Sequence, residues 1–369
     1  MNADSHILGG ARRRLGRREF SKLMAAAGLT LIAAPLGLRS ARAAANLTVF
    51  EWSGYDVPEL FPEFLKAHGA PNFAIFAEEE EAYQKLRAGF KVDVSHPCTV
   101  SIARWRDAGL IKPIDTKRIS RWGQIPEAML NTAGISHEGK VWMMPWDCGN
   151  STIVYRHDVL PDPKKSYTLL LDPSLKGKIS IFDSVDEMFL IAGTIAGVKD
   201  HLNMTDAELE KASEVMRELH KNVRFYWSDP TALQQAMASG EIVAAWTWTD
   251  SYVALKNEGV PVTFMFPEEG LSTWMCGFVL NVDGPGDENL AYDYLESMLD
   301  PAVGKYLIDE FGYGHSNGES YKLAESDIVK ELKLDQDLTA FLAGTRFQGE
   351  IPAGTREKMI EIFEQVKIG

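Results

Sequence analysis

Residues 47–76 read LTVFEWSGYDVPELFPEFLKAHGAPNFAIF, and this stretch decides the fold. Leu47-Thr48-Val49-Phe50-Glu51-Trp52 is rich in β-formers and stops at Ser53-Gly54, which predicts a strand closed by a turn. Leu60, Phe61, Phe64 and Leu65 then recur at helical spacing over residues 58–66. Phe73-Ala74-Ile75-Phe76 returns to strand, a helix is expected over 79–90, Val92-Asp93-Val94 gives a third strand, and 102–108 a further helix. Short strands alternating with helices specify an α/β class built on an open, largely parallel sheet. Ligands of such sheets bind at the carboxyl ends of the strands. Those ends are Trp52-Ser53-Gly54, Pro97-Cys98-Thr99 and, after a strand over 141–144, Pro145-Trp146-Asp147-Cys148-Gly149-Asn150.

The same grammar continues downstream. The turn-rich run Asp172-Pro173-Ser174-Leu175-Lys176-Gly177-Lys178 leads into a strand at 179–181. Helices follow over 187–196, 206–221 (with Thr205 as its N-cap) and 231–239, and strands over 242–248, 262–266 and 277–281. Helices are expected again over 288–298 and 355–366. The four-acid run Glu78-Glu79-Glu80-Glu81 reads as the solvated start of a helix.

Upstream, Gly16-Arg17-Arg18-Glu19-Phe20-Ser21-Lys22 sets a twin arginine before the apolar stretch 23–38, and Ala41-Arg42-Ala43 is a small-x-small cleavage pattern. A signal peptide of twin-arginine type is therefore expected over residues 1–43, removed near Ala43, with a periplasmic destination; ordinary secretion of the unfolded chain is the alternative route. A membrane span needs ~20 predominantly apolar residues, and this stretch is shorter and broken by Pro35. With eight basic and two acidic residues the leader carries +6, so the chain's −14 becomes −20 without it. Such a field repels nucleic acid and attracts cations. The remaining length exceeds what one core usually carries, so two domains are expected.

The three cysteines, Cys98, Cys148 and Cys276, are too widely spaced for a dithiol or zinc motif. Neither a dinucleotide fingerprint nor an H-E-x-x-H pair occurs, and no cofactor or metal is expected. One hydrolase motif does occur: Gly314-His315-Ser316-Asn317-Gly318 fits G-x-S-x-G, with Ser316 as nucleophile. That motif needs a strand before the serine, whereas 301–311 reads as a helix ending at Gly312, so an exported serine hydrolase is the disfavoured rival.

Over essentially the whole chain after the leader, the order of local phrases resembles the spermidine/putrescine-binding periplasmic proteins that deliver ligand to ABC importers. The phrases are Phe50-Glu51-Trp52-Ser53-Gly54-Tyr55, Tyr83-Gln84-Lys85-Leu86, Trp142-Met143-Met144-Pro145-Trp146, Trp227-Ser228-Asp229-Pro230 and Gly240-Glu241-Ile242 leading to Trp248. Phe266-Pro267-Glu268-Glu269-Gly270, Trp274-Met275 and Gly312-Tyr313 complete the series. The resemblance implies a two-lobe periplasmic-binding-protein fold of type II-like form, with strands crossing a hinge and ligand held between the lobes. It places one lobe at 46–149 with 274–323 and the other at 150–273 with 324–369. It also implies a monomer that hands its ligand to an inner-membrane permease and performs no chemistry.

By position in that pattern, Trp52, Trp248, Trp274 and Tyr313 enclose the ligand, Glu187 pairs a terminal amine and Gln348 completes the site. Ser53, Asp147 and Asp183 are further candidates, as are Cys98 and Cys276, which replace cleft-facing polar residues and could bridge. Asp250 shares a strand face with Trp246 and Trp248, pointing either to the cleft or to solvent. Aromatic faces suit alkylammonium chains through cation–π contact. Gly54, Ser184 and Cys276 stand where the pattern has acids, and Val100 where it has a tyrosine. A ligand with few ammonium groups is thus expected: a short diamine or a monoamine, or alternatively a zwitterion such as 4-aminobutyrate or an amino acid conjugate. The zwitterion would need a cation for its carboxylate, for which Arg156 and Arg224 are candidates.

Overall fold

The computed structural model describes residues 45–335 and 345–369. The predicted leader lies outside the described residues. Two sets of parallel strands flank a long antiparallel pair. The first set holds β1 (Thr48–Trp52) and, with helix α1 (Pro62–His68) between them, β2 (Asn72–Phe76). Helix α2 (Glu79–Arg87), strand β3 (Val94–Ser95) and helix α3 (Thr99–Asp107) complete that unit. The central pair is β4 (Met144–Arg156) with a strand reached much later. The second set comprises β5 (Ile179–Phe182), helices α4 (Val185–Ile195) and α5 (Asp206–His220), β6 (Val223–Trp227), helix α6 (Pro230–Ala238) and β7 (Ala244–Trp248). Helix α7 (Thr249–Asn257) and strand β8 (Val262–Phe264) lead to β9 (Ser272–Asn281), partner of β4. Helices α8 (Glu288–Met298) and α9 (Pro301–Tyr306), strands β10 (Gly314–His315) and β11 (Arg346–Phe347) and helix α10 (Ala353–Ile368) follow.

The sheet order is β2-β1-β3-β9-β4-β7-β5-β6. β1 is parallel to β2 and β3, and β5 is parallel to β6 and β7, so each half is the expected parallel α/β unit. β9 and β4 run antiparallel to each other and to the strands they join, and they carry the backbone from one half to the other.

Local chemistry explains the elements. In β1 the inward Val49 is fully buried against α1 and α8, and Phe50 fills the opposite face with Phe76 at 4.8 Å. Burying such a side chain contributes about 1.5–3 kcal/mol. Helix α5 starts at a full capping box, Thr205 with Glu208, which satisfies two orphan backbone donors. α4, α5 and α10 pack into one apolar cluster around Met188, Leu209, Met359 and Phe363, while α6 and α7 cover the other face around Leu233, Met237 and Val253.

The central strand departs from the expected loop after 144. Pro145 and Gly149 lie within β4, not beyond its end. Pro145 is tolerated because the register slips between Cys276 and Gly277, leaving Trp146 as the extra residue of a bulge where a ladder donor is dispensable. Gly277 is required there, since a Cβ would lie 2.1 Å from the Met144 carbonyl oxygen. Gly149 makes room in the same way for the Trp274 ring, 2.4 Å from where its Cβ would stand.

Candidate functional site

The carboxyl ends of the parallel strands of both halves open onto one cavity of about 670 Å³, its mouth included. β1 ends in Trp52 with Ser53 next to it, the turn before α3 contributes Cys98, β5 ends in Phe182 with Ser184 just beyond, and β7 ends in Trp248. The central pair supplies Asp147, Trp274 and Cys276. Tyr313 follows Gly312, whose φ of +67° turns the chain out of the helical segment before it, and Gln348 follows β11. Ten predicted residues thus line one cavity: Trp52, Ser53, Cys98, Asp147, Glu187, Trp248, Trp274, Cys276, Tyr313 and Gln348.

Two predicted acids do not line it. Asp183 sits on the outer side of the turn after β5, where its carboxylate takes Lys367 Nζ at 3.0 Å. Asp250 stands behind Tyr313 as its hydrogen-bond partner, and burial pushes its carboxyl up to about 6. Arg156 pairs with Asp158 and caps the carbonyls of Met237 and Ala238, and Arg224 pairs with Glu241 at 3.0 Å. Neither faces the cavity.

Tyr55, Glu78, Glu79, Val100, Phe182, Ser184 and Asp186 join the lining. The acid run is therefore not a solvated helix start throughout: Glu79 is buried, and only Glu81 is exposed. Glu78 caps α2 by accepting from the Glu80 N–H at 2.7 Å and the Glu81 N–H at 3.2 Å. Burial raises the carboxyls of both Glu78 and Glu79 to about 7. One sequence signal could have located them, since they directly follow the carboxyl end of a parallel strand.

Aromatic rings frame the space. Trp52 and Trp248, from opposite halves, meet edge to face at 6.2 Å. Trp248 is buttressed by Phe182 at 4.7 Å and Trp227 at 4.9 Å, and Trp274 meets Tyr313 at 4.7 Å. Cys98 and Cys276 are joined by a disulfide in the wall, and Cys148 is a buried free thiol.

Two buried carboxylates have opposite surroundings. Glu187 accepts from Ser151 Oγ at 2.6 Å, Trp246 Nε1 at 2.8 Å and Gln348 Nε2 at 2.9 Å. These donors are neutral, and burial, the largest influence, raises its pKa. Asp147 instead accepts from His96 Nε2 at 3.1 Å and the Tyr55 hydroxyl at 2.9 Å, while His96 Nδ1 lies 2.5 Å from Glu51 Oε1. Burial opposes a charge on His96, yet the flanking carboxylates of Glu51 and Asp147 outweigh it and hold the imidazole up at about 10. Next to Glu187, Asp186 is occupied by Arg356 Nη1 at 2.5 and 2.7 Å.

The hydrolase motif is not a catalytic site. A two-residue strand, β10, does precede Ser316, but the serine is fully buried and its neighbour His315 bonds Ser320 Oγ at 2.9 Å and the Met298 carbonyl at 3.0 Å. Ser316 Oγ has no hydrogen-bond partner among the described residues, so no base activates it. The described residues also contain no cluster able to hold a metal ion, and none of their helices is long and apolar enough to cross a membrane.

Comparison with known proteins agrees with this geometry. The family described as bacterial extracellular solute-binding protein matches residues 59–334. The spermidine/putrescine-binding periplasmic protein of Escherichia coli K12 is 26% identical over 361 residues, covering 95% of this chain and 99% of the relative. The putrescine-binding periplasmic protein of the same organism is 24% identical, covering 85% and 88%. Among solved structures, a putative spermidine/putrescine ABC transporter from Listeria monocytogenes superposes with a TM-score of 0.78 at 19% identity, covering 87% of this chain and 98% of that one. The two halves are the lobes of a periplasmic-binding-protein fold.

Proposed function

Because this chain belongs to the family of bacterial extracellular solute-binding proteins, we propose that its cavity captures a small cationic amine for an ABC importer. The chain is a binding protein and not an enzyme. One observation carries the reading. Of the five carboxylates in the lining, Asp147 is neutralised by His96 and Asp186 by Arg356, whereas Glu78, Glu79 and Glu187 have no ion-pair partner among the described residues and share the cavity with Trp52, Trp248 and Trp274. A buried carboxylate without a cation is costly, and an ammonium group supplies the missing charge while its methylenes lie on the rings.

The relatives named for spermidine and putrescine binding support the same chemistry. The zwitterion reading has no support in the lining, whose described residues offer no cation to a ligand carboxylate. Glu78 and Glu79 compensate for the acids missing at Gly54, Ser184 and Cys276, so a diamine is served as well as a monoamine.

The mechanism is population shift. Trp52 belongs to the first lobe and Trp248 and Glu187 to the second, so ligand touches both only when they close, and this differential affinity favours closure. The lobes are 46–149 with 274–323 and 150–273 with 324–369, and the protein acts as a periplasmic monomer whose leader is removed near Ala43. A thermal-shift and calorimetric screen tests the reading. 1,4-Diaminobutane, spermidine and a monoamine should raise the melting temperature through mass action, and 4-aminobutyrate should not. Stabilisation by 4-aminobutyrate alone would overturn the amine assignment.

A further inference from the structure

Glu79 differs from its neighbours in the acid run. Glu80 is committed to Arg104, with contacts of 2.5 and 3.1 Å, and Glu81 is exposed and paired with Lys85. Glu79 is buried in the cavity wall, and among the described residues its hydrogen-bond donors are neutral. The Cys98 N–H reaches its Oε1 at 2.6 Å, and Ser101 Oγ donates to its Oε2. Both donors belong to the first turn of α3, whose N-cap is Cys98. That turn is in turn strapped to β9, by the Cys98–Cys276 disulfide and by the Gly277 N–H donating to the Pro97 carbonyl at 3.0 Å.

We propose that Glu79 is a ligand-binding carboxylate of the first lobe, turned into the cavity by the N-terminus of α3, which the Cys98–Cys276 bridge fixes against β9. This rests on the amine-binding reading above and adds a second cation acceptor to it, on the lobe opposite Glu187. The first turn of a helix favours a carboxylate at its end. Hence the donors of α3 orient Glu79 without an ion pair, and its neutralisation is left to the ligand. The other charged groups facing Glu79 are Glu78 on its own element and Asp186 and Arg356 from the second lobe. Arg356 is already engaged by Asp186. Burial raises the Glu79 carboxyl to about 7, so an arriving ammonium group captures it in the ionised form and binding releases a proton under mildly acidic conditions.

The bridge acts as a positioning element. It holds α3 to β9, α3 holds Glu79, and neither sulfur needs to contact the ligand.

Calorimetric titration with 1,4-diaminobutane at pH 6 and pH 8 tests this on wild type, Glu79→Gln, Glu81→Gln and the double variant Cys98→Ser with Cys276→Ser. Glu79→Gln should weaken binding about tenfold to a hundredfold, the loss expected for a charge-assisted contact. It should also shrink the gain in affinity between pH 6 and pH 8, leaving the part due to Glu78. Glu81→Gln should match wild type. The double serine variant should weaken binding by a smaller factor while keeping the full pH dependence. Wild-type affinity and pH slope in Glu79→Gln would overturn the proposal and leave the amine reading standing. Wild-type affinity in the double variant would overturn the positioning role of the bridge. A wild type that binds no amine would overturn both readings together.

Discussion

Glu187 and Asp147 are both buried carboxylates in the wall of one cavity, yet the protein treats their charges in opposite ways. Asp147 shares a buried imidazolium, His96, with Glu51, and its other oxygen takes the Tyr55 hydroxyl. Glu187 is given three hydrogen bonds and no cation. The Asp147 corner is neutralised by the chain's own His96 and belongs to the architecture beneath the hinge. On the proposed reading, the Glu187 corner is completed by the positive charge of a ligand. What separates a structural from a receptive carboxylate is thus the counter-ion, since both are buried and both are hydrogen-bonded.

Removing the cation at the completed corner should have the largest effect. His96→Ala leaves Glu51 and Asp147 facing each other unneutralised and should cost about 3–5 kcal/mol of stability, the range for breaking a buried charge pair; denaturant unfolding measures it. Loss of under about 1 kcal/mol would show that the corner is not a charge-coupled unit. The same corner predicts a pH dependence with a definite sign. Its imidazole is raised from 6.5 to about 10, so its contribution is full below about pH 6.5 and is lost as pH rises through 10. The melting temperature should fall over that window, and His96→Asn should flatten the fall.

At the receptive corner the signs reverse. Glu187→Gln keeps most hydrogen bonds but removes a charge that burial disfavours, so the unliganded protein should melt at the same or a higher temperature. Its affinity for 1,4-diaminobutane should nevertheless drop about a hundredfold, as loss of a charge-assisted contact implies. A variant that lost stability together with affinity would place Glu187 with Asp147 as structural. The smallest effect is expected at the aromatic wall. Trp248→Ala should weaken amine binding by ~0.5–2 kcal/mol through lost cation–π contact, read by calorimetry, while Asp147→Asn should lower stability more than it lowers affinity.

Some of this was legible in the sequence. Strand-end reasoning led to Trp52, Cys98 and Asp147, because side chains at the carboxyl ends of parallel strands have little choice of direction, whereas Trp248, Trp274, Glu187 and Gln348 followed only from the resemblance. Glu79 was obscured by its own neighbours: four consecutive acids look solvated, and only the packing of α3 against α2 turns one of them inward. Asp183 follows β5 just as Glu79 follows β2, but a C-terminal lysine, Lys367, draws it outward, and no local pattern announces a partner so distant in the chain. Pro145 and Gly149 read as the end of a strand because their tolerance depends on a slipped register with β9 and on Trp274, both set by residues far downstream.

The pairing of β3 with β9 also sets an order of assembly. Ser95 lies opposite Val279 and Val94 opposite Leu280, so the first lobe's sheet stays unfinished until the chain has passed through nearly all of the second. The second lobe's strands β5, β6 and β7 lie within one continuous segment and pair among themselves. Contacts distant in sequence close slowly because the loop entropy must be lost before they stabilise anything. On a ribosome, then, the strands of the second lobe can pair before the first lobe receives β9, its final template strand, and α10 completes the second lobe's helical layer last of all.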